Sequence, residues 1–131
     1  MNILIDLQGC QTEGSRSRGI GRYSCQVIKY LINLYPEHQF ILFANPHLFD
    51  LREELSNELS KNTNVFYFQW FSPGPLKNES NGSFSLNWFA RQIRAFSISS
   101  LSVDVILITS FFEGFNDNAI VDIFSNADMP P

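Results

Sequence analysis

Two kinds of apolar spacing alternate along this chain. Continuous runs occur at Ile3 to Leu7, Phe40 to Ala44, Val65 to Phe71 and Val105 to Ile108. Short unbroken runs of β-forming residues predict strands buried on both faces. Between them the apolar positions recur every three or four residues. Ile20, Tyr23, Val27, Leu31 and Leu34, with Ile28 beside them, predict an amphipathic helix that Pro36 ends. Leu48, Leu51, Leu55 and Leu59 predict a second helix, with Arg52, Glu53, Glu54 and Glu58 on its outer face. Leu86, Phe89, Ile93 and Phe96 predict a third, continuing to about Leu101. Polar loops are expected from Gln8 to about Gly19, from Ser72 to Ser83 and from Ser110 to Asn116. Asp117 to Phe124 has the makings of a short helix, and Asp128 to Pro131 can continue neither kind of element.

The alternation of strand and helix predicts an α/β fold, a Rossmann-like three-layer arrangement with helices on both faces of a parallel sheet. Right-handed crossovers favour the strand order 3-2-1-4. Residues 1–131 read as a single domain with no internal repeat. In such sheets a ligand crevice forms at the carboxyl ends of the strands where the order reverses. Here that point lies between the first and fourth strands, so the loops Gln8 to Gly19 and Ser110 to Asn116 should meet there.

Composition narrows the function classes. Of 131 residues, 44% are hydrophobic and 17% charged, enough to bury a core and too apolar for disorder. A net charge of −4 with no long basic run excludes a general binder of nucleic acid. Cys10 and Cys25 form neither a CxxC pair nor a disulfide framework, which fits reduced thiols. The first residues carry no basic region, and no stretch reaches the ~20 apolar residues that span a bilayer. The expected location is cytoplasmic. Thirteen Phe residues fit a Phe-rich core, and they also leave open peripheral contact with the inner face of a membrane. The sequons at Asn78 and Asn81 mark only a polar, exposed loop.

Both crevice loops carry unusual residues. Arg16-Ser17-Arg18-Gly19-Ile20-Gly21-Arg22 holds three of the nine basic residues and opens a helix. Glycines admit a ligand close to the backbone, a helix start offers free N–H groups, and guanidiniums grip oxyanions. The stretch reads as a cradle for phosphate or carboxylate, or as a solvated basic loop. It is not a dinucleotide fingerprint. Position 24 is Ser, Gly19 lies far beyond the first strand, and the second strand ends in Asn45 rather than an acid. A Gly-Lys-Ser/Thr triplet is absent, and the third strand ends in Trp70-Phe71-Ser72 without a phosphorylatable Asp. In the second loop, Glu113 stands among Phe111, Phe112 and Phe115. Aromatic rings stack on sugars or bases while a carboxylate accepts hydroxyl protons; the alternative is core Phe with Glu113 capping a turn. Asp6 is expected to organise the loop above it, and His38 and His47 to lie on the surface.

Ile3-Leu4-Ile5-Asp6-Leu7-Gln8-Gly9, Gln11-Thr12 and Arg18-Gly19-Ile20-Gly21-Arg22-Tyr23-Ser24 together resemble the opening of bacterial family 4 glycosyltransferases. The subgroup it is similar to adds sugars, often mannose, to O-antigen and other surface polysaccharides. Val105 to Thr109 followed by Ser110-Phe111-Phe112-Glu113-Gly114-Phe115 is similar to a second stretch of that subgroup. The middle, from about Pro46 to Ser100, carries only the pattern of elements. The resemblance implies the N-terminal, acceptor-side domain of a two-domain GT-B enzyme, usually retaining and needing no metal or cofactor. It implies a GDP- or UDP-hexose donor and a glycan acceptor. Donor phosphate would fall to Gly19, Gly21, Arg18 and Arg22. The acceptor would fall to Phe112, Glu113 and Gly114, with Glu113 the candidate nearest chemistry.

Nothing in these residues resembles the donor-binding C-terminal domain, and Pro130-Pro131 stands about where a fifth strand is due. The expectation is a chain inactive alone, with an exposed sheet edge open to self-association. A stand-alone module that binds an anionic or glycan ligand, or an α/β domain kept for a partner chain, remain the alternatives.

Overall fold

The four apolar runs form one parallel sheet. The computed structural model describes residues 1–70, 93 and 95–110. Its strands are β1 (Asn2–Asp6), β2 (Gln39–Ala44), β3 (Val65–Gln69) and β4 (Val105–Ile108). They lie in the order β3-β2-β1-β4, as the crossover argument requires. In register, Ile3 faces Phe40 on one side and Val105 on the other, so β1 is central. Phe40 of β2 is in turn paired with Val65 of β3.

Successive residues of each strand point to opposite faces, which separates two cores. Ile5, Leu7, Phe40, Leu42 and Ala44 join one cluster with Ile28 and Ile32 of α3 (Gly19–Leu34) and with Leu51 and Leu55. Leu4, Phe43 and Trp70 join the other, with Ile98 from a helical stretch over 95–99. The crossovers from β1 to β2 and from β2 to β3 thus cover one face, and Ile98, Leu101 and Val103, just before β4, pack on the other.

Several local expectations are corrected. The polar stretch after β1 is not a loop but two helical turns, α1 (Gln8–Gln11) and α2 (Glu13–Arg16). Gln8, Gly9, Cys10 and Gln11 are all buried there, Cys10 within the apolar cluster of Ile5 and Leu7 and Gln11 through its hydrogen bonds. In α3 the buried face is Gly21, Ser24, Cys25, Ile28 and Ile32. Ile20, Tyr23 and Leu34 of the apolar stripe are exposed instead. Gly21 accounts for this rotation. A Cβ there would stand 2.3 Å from the Ser15 carbonyl oxygen, so α3 rests on α2 along its small residues.

The helix after β2 is shorter than its leucine spacing suggests. It runs only over α4 (Ser56–Lys61), because residues 52–55 form turns. Leu51 and Leu55 still reach the core. Glu58, assigned to the outer face, is buried. In the helical stretch over 95–99, Ile98 turns inward while Phe96 is exposed. The loop from Ser72 to Ser83, Leu86, Phe89 and the short helix at Asp117 to Phe124 lie outside the described residues.

Candidate functional site

The crevice at the strand ends is built from the residues just beyond β1 and β4. Asp6 is buried, and its Oδ1 accepts the Gln8 N–H at 2.8 Å, which turns the chain from strand into α1. The expectation that Asp6 organises the segment above it therefore holds. Thr109 donates its Oγ1 hydroxyl to the Asp6 carbonyl at 3.0 Å, tying the end of β4 to the end of β1. Gly9 is packed against that tie. An added Cβ would lie 2.8 Å from Ser110 Cβ and 3.1 Å from Thr109 Oγ1. From the other side, Ser24 in the second turn of α3 donates to the Thr109 carbonyl at 3.4 Å. The first-strand loop and the start of the Ser110 loop thus meet where the order reverses.

Gln11 fixes the height of α1, and sequence reasoning missed it. Its Nε2 donates to the carbonyls of Asn45 at 3.1 Å and Phe49 at 2.9 Å. Its Oε1 accepts the Asn45 N–H at 2.9 Å. One buried amide thereby satisfies the backbone where β2 ends. The signal was a polar residue in a segment too rich in buried positions to be a loop, which periodicity alone does not show.

The basic residues separate into two groups. The Arg16 guanidinium lies over the Phe49 ring, 3.6 Å from its centroid, a cation–π contact that anchors α2. Arg18 and Arg22 are exposed and bracket the start of α3. Arg18 is the extended N-cap residue, and its carbonyl accepts the Arg22 N–H at 3.2 Å. The N–H groups of Gly19, Ile20 and Gly21 have no backbone acceptor among the described residues. A helix start with free N–H groups and flanking guanidiniums can hold an oxyanion. The two glycines differ in surroundings: Gly19 has open space where a Cβ would project, whereas Gly21 is closed over by α2. Phe112, Glu113 and Gly114 lie outside the described residues, so the segment after β4 is described only as far as Ser110.

Beneath this layer lie the two thiols, both free and buried. Burial, reinforced by Cys25 and Asp6, pushes the Cys10 thiol far above the ordinary thiol range. Burial and then Glu54, whose carboxyl lies 3.4 Å from Cys25 Sγ, push the Cys25 thiol up to about 11. Neither is a thiolate near neutral pH, so neither suits nucleophilic work. Each ionises less readily in the folded than in the unfolded chain. Their contribution to stability is therefore complete below the ordinary thiol pKa and is lost as pH rises toward 11. The expected outcome is negligible labelling by a thiol reagent at neutral pH and a falling Tm above about pH 9. A rapid, stoichiometric reaction of either thiol with native protein would contradict it. Among the described residues no cluster of His, Cys, Asp and Glu could hold a metal ion, and no helix is long and apolar enough to cross a membrane.

This chain is 30% identical over 129 residues to the serotype-specific mannosyltransferase WbdA of Escherichia coli. The chain therefore has a glycosyltransferase relative. The match takes in 94% of this chain but only 15% of that protein's length. No family model matches the chain, and no solved structure matches it.

Proposed function

We propose that this domain is part of a sugar-transferring enzyme, and that it forms the N-terminal, acceptor-side half of a GT-B glycosyltransferase. The match to a mannosyltransferase along nearly the whole chain carries this reading. The 3-2-1-4 parallel sheet agrees with it. In the proposed reaction a hexose, mannose by preference, passes from a GDP- or UDP-sugar to a hydroxyl of a growing surface glycan. As the bond to the diphosphate breaks, negative charge builds on the leaving oxygens. The open start of α3 would meet that charge with the N–H groups of Gly19, Ile20 and Gly21 and the guanidiniums of Arg18 and Arg22. Preorganised donors of this kind lower a barrier most where charge develops. Glu113, with Phe112 and Gly114, would take the acceptor, the rings stacking on the sugar and the carboxylate accepting a hydroxyl proton. The donor's sugar and base would be held by a separate domain, so this chain by itself forms half a site and turns over no donor.

The test is amide-resolved NMR titration of the 131-residue chain with GDP-mannose, UDP-glucose and an α-mannose oligosaccharide. Either nucleotide sugar should bind weakly, with Kd on the order of 1 mM, and shift the amides of residues 18–22. The oligosaccharide should shift residues 110–116. Donor-dependent product formed by this chain alone would sink the half-site reading. Oligosaccharide binding with no response to any nucleotide sugar would favour a stand-alone glycan-binding module. Silence toward all three ligands would remove both.

A further inference from the structure

The sheet ends on one side at β3, and among the described residues no strand pairs with its outer edge. Edge strands are ordinarily guarded by a lysine, a proline or a bulge, because their unpaired backbone groups invite another strand. Strand β3 has none of these. Its five residues, Val65, Phe66, Tyr67, Phe68 and Gln69, carry no charge, and they pair with β2 in unbroken register. Phe66 is 49% exposed, and Gln69 is exposed as well.

The ladder decides which backbone groups face outward. The Asn64 carbonyl accepts the Phe40 N–H at 2.8 Å, and the Trp70 N–H donates to the Ala44 carbonyl at 3.4 Å. Backbone direction repeats every second residue of a strand. Phe66 and Phe68 therefore turn their N–H and carbonyl groups toward β2, and Val65, Tyr67 and Gln69 turn theirs outward. These three are spaced symmetrically about Tyr67. Laid antiparallel against a second copy of itself, β3 sets Tyr67 opposite its counterpart and Val65 opposite Gln69, and each such pair exchanges two hydrogen bonds. Phe66 then falls opposite Phe68 of the second copy, in the closer kind of antiparallel pair. The side chains suit that register. Tyr67 packs against the cluster of Leu51 and Leu55, whereas Phe68 lies on the opposite face, stacked on Phe43 with ring centroids 5.6 Å apart. Phe66 shares the face of Phe68, so pairing would extend that stack with the exposed ring of the second copy. The charges beside Tyr67, Asp50 and Arg52, are already paired with each other and leave no like charge to repel.

We propose that two copies of this chain join edge to edge along β3, antiparallel about Tyr67, so that one sheet runs through both. The arrangement is twofold and closed, since each copy uses its β3 edge once. A second copy is favoured over an unrelated strand because a single register pairs all three outward residues and covers Phe66 in both chains. A seam five residues long falls short of the roughly 1,200 Å² buried by stable interfaces, so the dimer is weak, with Kd on the order of 100 μM. The proposal rests on β3 alone and is independent of sugar transfer.

Sedimentation equilibrium of the 131-residue chain from about 10 μM to about 1 mM, on either side of that Kd, tests it. The mass should rise from that of one chain to that of two and stop there. Phe66→Glu sets a carboxylate against Phe68 of the second copy and should raise Kd about tenfold or more. Gln69→Pro removes an outward N–H and leaves every bond to β2 in place, so it should raise Kd about tenfold with an unchanged circular dichroism spectrum. Val105→Lys, at an exposed position on the opposite edge of the sheet, should leave Kd unchanged. A single-chain mass at every concentration would overturn the proposal and leave the edge to a strand of another protein. Growth beyond two chains, an unchanged Kd in either β3 variant, or loss of the dimer in Val105→Lys would overturn it too.

Discussion

Replacing Gln11 by methionine will cost about 3 kcal/mol of stability, although the new side chain has a similar length and volume. The wild-type amide donates to two backbone carbonyls and accepts one backbone N–H, all where β2 runs into the turn that follows. Methionine fills the space and satisfies none of them. The Asn45 amide then lies buried without its acceptor, and an unsatisfied buried group costs about 1–3 kcal/mol. For a domain of this size the loss corresponds to a fall in Tm of roughly 10 °C. Gln11→Glu separates the contributions. A carboxylate can still accept the Asn45 N–H but faces two carbonyls with no donor, so it should be at least as damaging at neutral pH and milder in acid, where the carboxyl gains a proton. Thermal unfolding of both variants checks this, and a Gln11→Met variant within about 1 kcal/mol of the parent would show that the three bonds contribute little.

The two glycines at the start of α3 should respond to alanine with opposite sign. At Gly21 the added Cβ would stand 2.3 Å from the Ser15 carbonyl oxygen and 2.7 Å from Arg16 Cα. Both neighbours are backbone, so neither can swing aside as a side chain would. Helix α2 must lift from α3, and with it the Arg16 guanidinium must leave the Phe49 ring. Overpacking of this kind costs about 3 kcal/mol at the upper end. At Gly19 a Cβ would meet nothing within 4 Å. Alanine there also restricts the unfolded chain, so Gly19→Ala should be neutral or more stable by a few tenths of a kcal/mol. Denaturant melts of the two variants decide the matter. Equal effects would mean that α2 is not seated on Gly21.

The contrast between these glycines shows where reading the chain succeeds and where it stops. Strand order was legible because Ile3 to Leu7, Phe40 to Ala44 and Val105 to Ile108 are apolar on both faces, which only a covered parallel sheet requires. The existence of α3 was legible from its spacing, but its rotation was not. Periodicity weighs hydrophobicity, and the buried face of α3 begins with Gly21, Ser24 and Cys25, small residues chosen for close approach. Tyr23, Ile20 and Leu34 outscore them while facing outward. The turns α1 and α2 were hidden for a related reason. Gln8 and Gln11 look like loop residues, yet both are buried, and the hydrogen-bond partners of Gln11, Asn45 and Phe49, lie tens of positions away. At the crevice, the meeting of Gly9 with Ser110 followed from topology. Which basic residues stay free did not, because Arg16 is claimed by Phe49, a neighbour that no local pattern announces.

The tie between Thr109 and Asp6 joins residues 103 positions apart. At its other end β4 is clamped in the same way, Asp104 taking the N–H of Asn2 through its side chain and returning its own N–H to the Asn2 carbonyl. By contrast β1 reaches β2 across α1, α2 and α3, about thirty residues that lie next to both strands in the chain. Closing a long loop costs chain entropy before any contact repays it. Assembly should therefore begin with β1, α3 and β2, and β4 should be the last of the four strands to take its place. On a ribosome the strand pair β1–β2 can form early, but the floor of the crevice cannot. Gly9 has nothing to press against until Ser110 has emerged, so the junction beyond β1 and β4 is completed late in folding rather than first.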